Sequence, residues 1–132
     1  GYTNENKLVE NGYSIYPYSS GSGLWTTSSD LAKLLVEIAD IFYGKSQLNI
    51  PENLYMDMIK SPDSAKWAGL GVFLDVVNEQ IELSSLGWGM GYQCGLVFYP
   101  EQRKGIVVMT NKDSGKHQLK GAIGKIFAEW SA

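Results

Sequence analysis

The sequence predicts an α+β fold: an antiparallel sheet of about four strands, with N-terminal helices and a C-terminal helix packed on it. Three observations predict it. Residues 28–43 and 114–130 carry apolar side chains at helical spacing. Between them, from Leu70 onward, the period changes to short runs rich in β-branched and aromatic residues. The links between those runs are too short for a parallel return, which needs a dozen or more residues, so neighbouring strands run antiparallel.

The elements follow in order. Residues 1–22 are polar, glycine-bearing and tyrosine-rich, and read as irregular chain pinned by Tyr13, Tyr16, Tyr18 and Pro17. A helix is expected from Ser28 to Tyr43. Leu31, Leu34, Leu35, Ile38, Ile41 and Phe42 form its apolar stripe, and Lys33, Glu37 and Asp40 its outer face. Thr27 and Asp30 are spaced as a capping box, and Gly44 suits the left-handed residue that ends a helix. A shorter helix is expected from Pro51 or Glu52 to Lys60, stopped by Pro62. Strands are expected over Leu70–Val77, Gln80–Ser84, Gly91–Tyr99 and Gly105–Thr110, with turns at Asn78-Glu79 and at residues 100–104. The runs Leu96-Val97-Phe98 and Ile106-Val107-Val108-Met109 are apolar on both sides of the pleat and call for cover on both faces. A last helix is expected from Ser114 to Trp130, with Gly121 and Gly124 as points of close approach to the sheet.

With 132 residues, the chain (1–132) reads as a single domain with one feasible core. A net charge of −3, with no basic run, argues against nucleic acid as the default partner. The apolar runs are too short to span a bilayer. The first residues carry neither a charged n-region nor an apolar h-region, so no export signal is read there. Cys94 is the only cysteine and His117 the only histidine, which leaves no disulfide and no zinc set within the chain. No cofactor is called for. Asp75, Glu79 and Glu82 read as outward-facing or turn residues, and residues 112–115 as a turn and cap rather than a phosphate loop.

Four motifs carry a resemblance. Tyr16-Pro17 is followed by Gly23-Leu24-Trp25-Thr26-Thr27-Ser28-Ser29-Asp30-Leu31-Ala32, which opens the first helix. Gly69-Leu70-Gly71-Val72-Phe73 comes next, then Gly91-Tyr92 with Tyr99-Pro100, and last Gly105-Ile106-Val107-Val108-Met109-Thr110-Asn111. In this order the chain resembles the C-terminal part of the serine β-lactamase and penicillin-binding-protein family, in its class C and esterase-type branch. The resemblance implies a parent hydrolase acting on ester, amide or β-lactam bonds, periplasmic or secreted, with a small acyl substrate. Such enzymes use a Ser-x-x-Lys pair. No serine or threonine here has a lysine three residues on, so the chain alone is expected to be inactive and its nucleophile to lie in a missing N-terminal part.

By the same resemblance, Ser85 and Gly87 occupy the family's third motif, where a lysine or histidine usually precedes the glycine. Gly87 keeps room for close approach of substrate. Ser85 brings no positive charge for a substrate carboxylate. The backbone N–H of Trp88 becomes one of two oxyanion donors, and Trp88, Met90 and Tyr92, which by pattern alone also fit core packing, become the wall of a substrate cleft. Ser85 also favours an alternative, a non-catalytic relative that binds a peptide or cell-wall fragment. A third reading is an unrelated, self-contained interaction domain. In the family's strand order the last strand pairs with a strand from the N-terminal part. Residues 105–110 would then offer an apolar edge through which the chain self-associates.

Overall fold

The computed structural model describes residues 1–18 and 20–131. Helices α1 (Ser28–Phe42) and α2 (Glu52–Met58) precede strands β1 (Phe73–Val77), β2 (Gln80–Gly89), β3 (Tyr92–Tyr99) and β4 (Lys104–Thr110), and helix α3 (Ala122–Ser131) closes the chain. The strands form one antiparallel sheet in the order β1-β2-β3-β4, so the α+β class is the one the sequence predicts. The β1–β2 register runs from Val77 opposite Gln80 to Phe73 opposite Ser84. Asn78 and Glu79, both with positive φ (50° and 66°), make the two-residue turn. That conformation matches the twist of the flanking strands.

Two compact units divide the chain. One comprises residues 1–28, 86–95 and 107–132. Its buried side chains include Val9, Gln93, Gln118, Ile123 and Phe127. Leu86, Ile123 and Phe127 crowd Gly95 so closely that a methyl group there would meet all three within 3.2 Å. The other comprises residues 29–85 and 96–106. Leu35, Ala39, Ile41, Tyr55, Leu83, Phe98 and Pro100 are buried in it. The Phe42 and Tyr55 rings meet at 5.3 Å.

The end of α1 follows from Gly44. With φ +66° it takes the left-handed position, and the amides of Gly44 and Lys45 reach back to the carbonyls of Ile41 and Asp40. The stripe differs from the expected one. Leu34 is 49% exposed, whereas Glu37 is buried. The Glu37 carboxylate accepts hydrogen bonds from the Ser46 hydroxyl (2.5 Å) and from the amides of Gln47 (3.2 Å) and Leu48 (3.1 Å). Periodicity cannot tell a solvated acid from one that anchors a following loop.

Three boundaries also move. β2 continues to Gly89, five residues beyond Ser84, while β1 starts at Phe73 rather than Leu70. The closing helix starts at Ala122 rather than Ser114, after a 3-10 turn at Gln118–Lys120. His117 caps that turn by accepting the Leu119 amide on Nδ1, and Gly121 is extended, which breaks the helical path. At Gly124 the nearest neighbour is Leu119, in the turn before the helix, rather than a strand. A methyl group there would lie 2.0 Å from the Leu119 carbonyl oxygen, so the glycine lets the helix fold back onto the turn before it. In β4, Ile106, Val107 and Val108 are half-buried and Met109 is 37% exposed, so the cover this strand calls for is partial.

Candidate functional site

Three of the residues expected at a substrate cleft lie on β2. Ser85 and Gly87, two residues apart, are half-buried, and Trp88 is 49% exposed. The strand is followed by a two-residue turn, Met90-Gly91, and by β3 from Tyr92. A two-residue hairpin closes on a hydrogen-bonded pair, here Gly89 with Tyr92, and the pairs then alternate. Trp88 opposite Gln93 is thus a non-hydrogen-bonded pair, and its N–H turns away from β3. The β1 ladder ends at Ser84, four residues before Trp88.

Gly87 is small for a reason the sequence does not reveal. A methyl group there would sit 2.5 Å from the Cys94 sulfur, so the chain's own thiol fills the space above the glycine. Burial raises the pKa of that thiol, and a Gly87 backbone hydrogen bond opposes the rise. The Gly87 carbonyl accepts the Gln118 side-chain N–H at 2.8 Å, which ties the strand to the turn before α3.

Met90 is 58% exposed, and its backbone N–H donates to the Tyr16 hydroxyl at 2.9 Å. Tyr92 is half-buried. Its hydroxyl donates to the Gly12 carbonyl at 2.5 Å and accepts from the Gly1 nitrogen at 2.6 Å. The Tyr92 ring stands edge to face with Trp25 (5.1 Å, 85°), and Trp25 in turn with Tyr13 (5.9 Å, 88°). An open cleft of about 380 Å³ is lined by Asn11, Gly12, Tyr13 and Trp25. Tyr13, Tyr16 and Trp25 thus bring an aromatic group to the β2–β3 turn, and sequence pattern alone does not mark Tyr16 or Trp25 as site residues. The signal was present, since Tyr16-Pro17 and Gly23-Leu24-Trp25 stand in the motif that opens α1.

The other titratable residues have ordinary duties. His117 caps the 3-10 turn. Asp75 and Glu82 face each other across the β1–β2 ladder. Glu82 accepts the Tyr99 hydroxyl, and burial, with that hydrogen bond and the two carboxylates, pushes the Tyr99 pKa up to about 12. Among the described residues, no group of His, Cys, Asp and Glu could hold a metal ion, and no helix is long and apolar enough to cross a membrane.

No protein-family model matches the chain, and no significant match exists among curated proteins or solved structures.

Proposed function

We propose that the chain is the C-terminal portion of a β-lactamase-like serine hydrolase that acts on ester, amide or β-lactam bonds. The observation that carries the reading is the outer edge of β2 beyond Ser84, where the Trp88 N–H turns out of the hairpin beside the exposed Trp88 and Met90 side chains. In this reading a serine from the N-terminal part of the parent attacks the substrate carbonyl, and its proton passes to a neighbouring lysine. The tetrahedral oxyanion accepts the Trp88 N–H and the nucleophile's own N–H. Collapse expels the leaving group and gives an acyl-enzyme, which water hydrolyses. Loss of one oxyanion donor typically costs about 10²–10³ in rate.

The test has two arms. The chain alone, incubated with a fluorescent penicillin or a nitrophenyl ester, forms no stable serine adduct; an adduct refutes the reading. In the full gene product, a Ser-x-x-Lys serine takes the label, and Trp88→Pro, which removes the amide proton at an edge position that tolerates proline, slows acylation by about 10²–10³-fold. Unchanged acylation in that variant removes Trp88 from the oxyanion site.

Ser85 favours a second reading, a non-catalytic relative that uses the same edge to bind a peptide or cell-wall fragment. Serine can donate a hydrogen bond but cannot neutralise a carboxylate. A parent without Ser-x-x-Lys that still retains cell-wall fragments selects this reading.

Both readings give β4 a partner. It ends the sheet order and its apolar residues are only half-covered. In the parent the partner is the N-terminal part. In the isolated chain it is a second copy paired through residues 105–110. A clean monomer by sedimentation at tens of micromolar contradicts that pairing.

A further inference from the structure

We propose that the corner between Tyr13 and Trp25 binds a flat apolar ring, the aryl group of a small neutral ligand. This goes beyond acyl transfer and does not depend on it. The open cleft over Asn11, Gly12, Tyr13 and Trp25 offers about 380 Å³, room for one ring with its outer face in water. Its walls are two aromatic rings at 88°, with Tyr13 49% and Trp25 58% exposed. A planar ring laid against one wall presents its edge to the other. It thereby gains a stacked and an edge-to-face contact together, the two arrangements that aromatic quadrupoles favour. A puckered saturated ring of similar size gains neither in full.

The corner is also built before any ligand arrives. Trp25 rests against Tyr92, whose hydroxyl is held by the Gly12 carbonyl and the Gly1 nitrogen. Consecutive left-handed residues, Asn11 (φ 55°) and Gly12 (φ 78°), turn the backbone beneath the rings. Above Gly12 there is room, since a methyl group there would meet nothing within 4 Å. Walls fixed in advance leave little side-chain ordering to oppose binding. The exposed Asn11 amide offers one polar contact to a substituent on the ring, and the exposed Glu10 next to it disfavours an anionic one.

Benzamide titrated into the chain, followed by the indole N–H resonances of the four tryptophans, tests the assignment. A saturable shift is expected at Trp25 and not at Trp67, Trp88 or Trp130. Tyr13→Ala is expected to weaken binding about tenfold, the scale of one lost aromatic contact. Cyclohexanecarboxamide is expected to bind about tenfold more weakly for the same reason. Trp25→Ala is expected to abolish saturation transfer from the protein to benzamide, which is strong in the unaltered chain, while unchanged resonances of the other three indoles show that this variant folds. Non-saturating or equal shifts at every exposed indole, full affinity in Tyr13→Ala, or equal affinity for the saturated ring each overturn the proposal. Penicillin labelling of the parent is read separately, so the failure of either idea leaves the other standing.

Discussion

The Tyr16 hydroxyl accepts the Met90 amide proton at 2.9 Å, joining residues 74 apart in sequence. The same oxygen lies 2.7 Å from where a methyl group at Gly89 would sit. One phenol thus contacts the last residue of β2 and the first residue of the turn, and a side chain at Gly89 would displace it. Tyr16→Phe removes the acceptor and is expected to cost about 0.5–1.5 kcal/mol. Amide exchange at Met90 should accelerate more than at Gln93, and equal acceleration at both would contradict a local anchor.

Gly87 and Cys94 compete for one space, since a methyl group at 87 would lie 2.5 Å from the sulfur. Gly87→Ala is expected to destabilise the chain by about 1–3 kcal/mol through overpacking. Adding Cys94→Ala should recover most of that loss, because it removes the atom in the way. Denaturant midpoints of the two single variants and the double variant measure the coupling, and strict additivity would show that the two sites do not share the space.

The pKa of Glu37 lies below its ordinary 4.5, mainly because the Ser46 hydroxyl donates to the carboxylate, with the Leu48 and Gln47 amides adding to the effect. A carboxyl lowered in the folded state stabilises it above the unfolded pKa, and that contribution fades as pH falls through the folded value. Acid unfolding of Glu37→Gln should therefore depend less on pH below about 4.5 than that of the parent chain. Parallel curves for the two proteins would rule out this linkage.

Two tyrosines are pushed up to about 12: Tyr55 by burial and then Glu101, and Tyr99 by burial and then Glu82. Raised values favour the protonated fold, so their contribution is full below pH 10 and is lost as pH climbs toward 12. Phenolate absorbance should show these two ionising late. The Tyr55 hydroxyl is buried and finds no hydrogen-bond partner among the described residues. Tyr55→Phe is thus expected to leave stability unchanged or raise it by up to about 1 kcal/mol. A loss above that would point to a bound water on the phenol.

Much of the fold was legible in the sequence because it rests on local pattern. The amphipathic run placed α1, Pro51 and Pro62 bounded α2, and Asn78-Glu79 placed the first hairpin turn. What could not be read depends on partners far along the chain. Glu37 looks like any outer-face acid until residues 46–48 fold under it. The extra length of β2 comes from a turn at Met90-Gly91 rather than from its own composition, and the late start of α3 from the capping by His117. At the candidate site, Trp88 and Met90 were legible as apolar residues between glycines, but their exposure was not, since the same pattern fits core packing. Tyr16 and Trp25 reach the same turn only through a loop with no period, and the occupant of the space above Gly87 sits on the next strand.

In the strand order β1-β2-β3-β4, every strand lies beside the one that precedes it in the chain. No pairing among these four strands then waits on the closure of a long loop, whereas the bridge from Tyr2 to Lys112 and the Tyr16–Met90 hydrogen bond do. The sheet can therefore grow one hairpin at a time, while the N-terminal residues are expected to join it last, across those long separations.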